Sequence, residues 1–182
     1  MTRHSAQTAD IDEKAIRCDM PEELVMALAR AKAAAIRARM AAGAAEAAGA
    51  KPALLITADQ VVVHRGVILE KPESAAQARA FIRGYSRSSA RTCGAIMVTN
   101  LATGAAAASL DLAEVFFNAI PDDVAETLIA EGGVLHCAGG LMVEHPRVEP
   151  HVERIDGGMD SVMGLSKAVT QRLLLEAAGL PQ

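Results

Sequence analysis

The chain has 182 residues, 51% hydrophobic and 22% charged, a balance that fits one folded domain and is too apolar for a disordered chain. Its formal charge of -4 leaves no footprint for binding a polyanion, and aromatic residues at 2% (Phe81, Tyr85, Phe116 and Phe117) leave no platform for stacking nucleic-acid bases. The three cysteines, Cys18, Cys93 and Cys137, are odd in number and lack a CxxC pair, so they read as reduced thiols.

Neither a signal core nor a transit-peptide character is visible at the start, and no apolar run approaches membrane-spanning length. A soluble cytoplasmic protein is expected, with no nucleic-acid or membrane partner. Residues 1–8 are expected to lie outside the ordered part of a single domain spanning 1–182.

In chain order, Pro21 opens a long helix to about Ala48, with Glu22 and Glu23 beside the positive end of its dipole. Leu24, Leu28, Ala31, Ala35 and Ile36 make its apolar face, while Arg30, Arg37 and Arg39 lie off it. The Ala/Gly-rich stretch from Ala41 to Gly49 is expected to fray before Lys51-Pro52.

Ala53 to Thr57 reads as a buried strand continued by Val61 to Val63, and His64-Arg65-Gly66 as a tight turn into Val67-Ile68-Leu69. Ser74 caps a helix that Gly84 ends in left-handed conformation. A strand over Ala95–Thr99, a turn at Asn100–Gly104 and a return strand to Val115 and Phe117 follow. Pro121-Asp122-Asp123 opens a third helix, stopped by Gly132-Gly133. Short strands are expected at Leu141–Val143 and Val152–Ile155, then a last helix from Ser166 to Gly179 with Val169, Leu173 and Leu174 inward. Interleaved strands and helices without a repeat give an α/β or α+β layered domain with a mixed sheet.

The familiar phosphate-binding patterns GxxxxGK[ST] and strand-linked GxGxxG are absent. Gly132-Gly133 and Gly139-Gly140 read as helix-end and turn glycines. His136, Cys137, His145 and His151 match no zinc spacing, so zinc is not expected. Carboxylates are the better candidates. Asp10, Asp12 and Glu13 cluster ahead of the first helix, and Asp59 follows the ALLITA run, where an unpaired charge is costly and a turn cap or a cleft would explain it. Lys32 and Lys71 supply cations. Carboxylates for a hard ion and lysines for phosphate oxygens suit triphosphate cleavage.

The order ADIDEK, LARAKA, ITADQVVV, LEKP, an AGG turn and GGMDSVMGLS resembles the Maf (septum-formation-inhibitor-like) family of nucleoside triphosphate pyrophosphatases, collinearly from about Ala9 to Gly179. The resemblance implies an α/β fold, a mixed twisted sheet flanked by helices as in inosine triphosphatases, with the active site in a cleft. It also implies Mg²⁺- or Mn²⁺-dependent hydrolysis of a nucleoside triphosphate to monophosphate and pyrophosphate, commonly by a homodimer. By position Asp59 matches the family's proton acceptor, Glu13 a metal or water ligand, and Lys32 and Lys71 the lysines facing phosphates; Asp59 and Glu13 are the implied metal ligands.

Two positions bear on the base. Gln60 stands where the uridine/thymidine branch has the Thr of ADT, and Glu144 where that branch has Gln; both resemble the 7-methyl-GTP branch, as does the ERIDG segment Glu153–Gly157. A carboxylate accepts from guanine's edge donors and favours the cationic methylated base. The family's opening strand and Ser-rich, double-Arg phosphate loop are not matched by Arg3, His4 and Ser5, Ser86-Arg87 replaces its Ser-Gly, and Ser166 replaces the Pro of its GLP. The expected fold therefore lacks that first strand and loop. 7-Methyl-GTP is the expected substrate; dTTP/UTP specificity and a catalytically weak nucleotide-binding or regulatory protein are the alternatives.

Overall fold

A computed structural model describes residues 6, 8–43 and 53–181. The expectations for Arg3, His4 and Ser5, for disorder across most of 1–8, and for fraying and a loop over 44–52 concern residues outside that set. No helix among the described residues is long and apolar enough to cross a membrane.

The expected class holds, α/β with a sheet flanked by helices, but the five-stranded sheet is antiparallel where a mixed one was expected. The helices are α1 (Pro21–Gly43), α2 (Ala75–Tyr85), α3 (Asp122–Glu131), α4 (Met159–Val162) and α5 (Lys167–Ala178). The strands are β1 (Leu54–His64), β2 (Val67–Leu69), β3 (Ser89–Asn100), β4 (Ala106–Phe117) and β5 (Val152–Asp156), in spatial order β2-β1-β3-β4-β5.

The chain folds as two compact units. One holds residues 1–59, 95–109 and 168–182; the other holds 60–94 and 110–167. In the first, α1 buries Leu24, Val25, Leu28, Ala29, Ala33 and Ile36. The buried stripe is thus turned from the expected one: Val25, Ala29 and Ala33 lie deep, while Ala31 and Ala35 are half-buried. In so Ala-rich a helix the sequence period marks the face weakly, because Ala is tolerated on either side. Ile96, Val98 and Ala107 form a core with Leu173 and Ala177 of α5, and Val169 and Leu174 pack against it as expected. Gly179, with φ +70°, stops α5.

In the second unit, β1 and β2 pair antiparallel, with His64 opposite Val67. Arg65 and Gly66 between them both have positive φ, 50° and 79°, the two-residue turn whose twist matches paired strands. Ser74 caps α2 by accepting from the Gln77 backbone N–H at 3.1 Å. Gly84 does not end α2, which continues through Tyr85 to a cap at Ser86. Its role is close approach: a Cβ at Gly84 would stand 3.3 Å from His64 Nε2. Gly132, with φ +81°, ends α3 as expected. The core joins Val62, Ile82, Tyr85, Val115, Phe117, Leu128, Val134 and Val143.

One strand expectation fails and another is borne out as a strand but not as a buried one. Leu141–Val143 is a turn region whose backbone bonds are local, Leu141 N–H to Ala138 C=O and His145 N–H to Met142 C=O. A three-residue apolar run next to glycines at φ 62° and 59° can be buried without a strand partner. The Ala53–Thr57 run is not fully buried either: Leu54 and Ile56 are exposed while Thr57 is buried, the alternation of a half-covered strand.

Candidate active site

β1 runs unbroken from Leu54 to His64, so Asp59 lies mid-strand and not at the strand end that the sequence suggested. Its setting comes from its neighbour two residues back. Thr57, 5% exposed, donates from its hydroxyl to the Ala29 carbonyl of α1 at 2.9 Å. Residues two apart on a strand share a face, and residues three apart on a helix are neighbours. The Thr57–Ala29 bond therefore sets Asp59 opposite Lys32.

Lys32 Nζ donates to Asp59 Oδ1 at 2.6 Å and pairs with Glu13 Oε1 at 2.8 Å. The Lys32 and Asp59 side chains are largely covered, whereas Glu13 is half exposed. Burial works against the Lys32 charge, but hydrogen bonds and attraction from Asp59 and Glu13 outweigh it and raise its pKa above the ordinary lysine value.

Glu13 is held by a short 3₁₀ turn, Glu13–Ala15, that Asp12 caps by accepting from the Lys14 N–H at 3.1 Å. Arg39 of α1 donates to the Thr8 carbonyl, tying the residue just ahead of the ADIDEK segment to the helix. An open cavity of about 370 Å³ lies here, lined by Asp10, Glu13, Lys32, Ile36, Ile56 and Thr57 among others. Three of the six singled-out residues thus meet around one ammonium in the first unit.

Two more lie in the second unit. The Gly139 N–H donates to the Glu70 carbonyl at 2.8 Å, joining the AGG turn to the LEKP segment. Gly139 is required there, because a Cβ would stand 2.6 Å from the Tyr85 hydroxyl and 2.8 Å from Val62 Cβ. Lys71 and Glu144 are exposed, and both act on the half-buried Cys137 thiol. Burial and the Glu144 charge push its pKa up while Lys71 opposes them. Gln60 joins neither group; its amide nitrogen donates to the Ser161 carbonyl at 2.8 Å. Of the His/Cys set, His145 pairs with Glu131 at 2.8 Å.

Within GGMDSVMGLS the sequence pointed to a motif but to no candidate site residue. Gly157 lets the chain abut β4, where a Cβ would stand 2.7 Å from Ala113 Cβ. Asp160 Oδ2 accepts from the Lys167 N–H at 2.7 Å at the start of α5, a bond that lowers its pKa. Ser161 Oγ donates to Asp111 Oδ1 at 2.8 Å. A charged residue inside the apolar-rich ASLDLAEVFF run was the available signal for Asp111.

The family model for Maf-like proteins matches residues 1–177. The chain is 37% identical to the 7-methyl-GTP pyrophosphatase of Dictyostelium discoideum, over 93% of this chain and 84% of that protein. It is 33% identical to the nucleoside triphosphate pyrophosphatase of Salinispora tropica, covering 91% and 71%. It is 30% identical to the dTTP/UTP pyrophosphatase of Salinibacter ruber, covering 88% and 74%. The chain belongs to the Maf-like protein family.

Proposed function

We propose that this chain is a nucleoside triphosphate pyrophosphatase that hydrolyses 7-methyl-GTP to 7-methyl-GMP and pyrophosphate. The observation that carries this reading is the single ammonium of Lys32 held between Asp59 and Glu13 beside an open cavity. The name of the 37%-identical Dictyostelium protein supports the choice of base, as do Gln60 and Glu144 at the positions that separate the branches.

In this reading Asp59 takes the proton of a water whose oxygen attacks the α-phosphorus. The new bond joins that oxygen to the α-phosphorus, the bond from the α-phosphorus to the bridging oxygen breaks, and pyrophosphate leaves with the electron pair. Lys32 fixes the Asp59 carboxylate by one oxygen and adds positive charge where phosphate charge gathers. Lys71 is a second cation for phosphate oxygens, and Glu144 and Gln60 contact the base.

The donor set suits a hard divalent ion. Mg²⁺ is held by one or two carboxylates, with water and substrate phosphates completing its shell. Glu13 and Asp59 are such a pair, and among the described residues no group of three or more His, Cys, Asp or Glu forms an all-protein cage. Mg²⁺ or Mn²⁺, when bound, neutralises and polarises phosphoryl oxygens.

The test is kcat/KM of the purified chain with Mg²⁺ on 7-methyl-GTP, GTP, UTP and dTTP. The reading predicts pyrophosphate release with 7-methyl-GTP ranked first. UTP or dTTP ranked first would give the chain the other branch's substrate, and no turnover of any of the four would remove the enzymatic reading.

A further inference from the structure

Asp111, on β4, is a buried carboxylate that the proposed chemistry does not use. It is 8% exposed, and its Oδ1 accepts from the hydroxyl of Ser161, itself 6% exposed, at 2.8 Å. Burying a carboxylate beside a neutral hydroxyl is costly, and two apolar side chains would join β4 to α4 at lower cost. The pair therefore calls for a purpose beyond packing.

That purpose is found one bond further on. The backbone carbonyl of Ser161 accepts from Gln60 Nε2 at 2.8 Å. A carbonyl can only accept, so the amide nitrogen of Gln60 has to face it, which settles the orientation of the carboxamide. Its oxygen lies towards Gly164, where a Cβ would stand 3.4 Å from Oε1 and where φ is +96°.

We propose that Asp111 and Ser161 are positioning residues for nucleobase selection: by anchoring Ser161, they hold Gln60 so that it offers the base an acceptor oxygen. The proposal rests on the pyrophosphatase reading and on Gln60 contacting the base. Guanine's pairing edge carries adjacent N–H donors, which an acceptor satisfies. Uracil and thymine carry one donor between two carbonyls. A Gln60 released from Ser161 turns its amide over and serves those carbonyls as well. The pair thus governs the ratio between bases and leaves the bond-breaking groups alone.

The experiment measures kcat/KM for 7-methyl-GTP, GTP, UTP and dTTP on the full chain, wild type and variants. Ser161→Ala is expected to lower the ratio of 7-methyl-GTP to UTP by about tenfold. Asp111→Asn, which keeps an acceptor for the Ser161 hydroxyl, is expected to hold the ratio within about twofold. In a Gln60→Ala background Ser161→Ala is expected to leave the ratio unmoved, since its effect travels through Gln60. An equal loss on all four nucleotides, or effects of Ser161→Ala and Gln60→Ala that add fully, overturns the proposal.

A second readout needs neither turnover nor a variant that folds. In the wild-type protein the Gln60 side-chain amide protons, followed by NMR, are expected to exchange at least about tenfold more slowly than those of free glutamine. Exchange at the free rate overturns the proposal. Turnover with a ratio that Ser161→Ala does not move overturns this inference and spares the pyrophosphatase reading, whereas a wild-type protein that cleaves none of the four overturns both.

Discussion

The Thr57 hydroxyl donates to the Ala29 carbonyl at 2.9 Å, and this buried bond fixes where Asp59 meets Lys32. Thr57→Val removes it with little change of shape. The expected cost is about 1 kcal/mol, the usual net worth of such a bond. That corresponds to a fall in Tm of about 2–4 °C for a chain of this size. Because the register of β1 on α1 also loosens, kcat is expected to fall by about tenfold, the change that a loss of about 1.4 kcal/mol from the transition state gives. Thermal melts and steady-state kinetics on one preparation check both. A lowered Tm with unchanged kcat would show that the bond supports the fold and not the site.

Lys32 makes an alkaline prediction. Its folded pKa is raised above the unfolded value, so its contribution to stability is fully present below the unfolded lysine pKa. The contribution is lost as pH rises through the folded value. The stability difference between wild type and Lys32→Met is therefore expected to be flat from pH 7 to about 9 and to shrink above about 10.4. Chemical denaturation at a series of pH values measures it. A difference that stays constant through pH 12 would contradict the ion-pair geometry.

Chelation is the next test. Turnover is expected to stop with EDTA and to return with Mg²⁺ or Mn²⁺, while the far-UV circular dichroism and Tm of the free protein stay unchanged. One equivalent of tightly bound zinc, with unfolding on chelation, would reverse the metal assignment and turn attention to His136, Cys137, His145 and His151.

Base selection is addressed by two side chains together. Glu144→Gln is expected to weaken 7-methyl-GTP selectively, and Gln60→Thr with Glu144→Gln to move preference towards UTP or dTTP by at least about tenfold. An unchanged ranking of the four nucleotides in the double variant would separate these residues from specificity.

What the sequence made legible was set by local chemistry. The Arg65-Gly66 turn, the Ser74 cap and the Gly132 stop each depend on one or two residues whose backbone preferences are strong wherever they occur. The motif order also led to Glu13, Lys32 and Asp59, which the structure gathers at one ammonium. What stayed hidden depended on distant partners. Asp59 looked like a strand end because a carboxylate breaks an apolar run; it continues the strand because Lys32, 27 positions away, answers its charge. Gly84 looked like a helix stop, yet the His64 ring beside it explains its missing side chain. The Asp111–Ser161 pair spans 50 positions, and a charge inside an apolar-rich run marks Asp111 without pointing to its partner.

The most direct test of the central claim is hydrolysis of 7-methyl-GTP in ¹⁸O-labelled water, with wild type and Asp59→Asn side by side. Attack at the α-phosphorus places the label in the monophosphate and none in pyrophosphate. The account predicts that pattern, one pyrophosphate per monophosphate, and a kcat at least about 10²-fold lower for Asp59→Asn with its fold retained. Label in pyrophosphate, release of single phosphates, or an Asp59→Asn variant at near wild-type rate would contradict it.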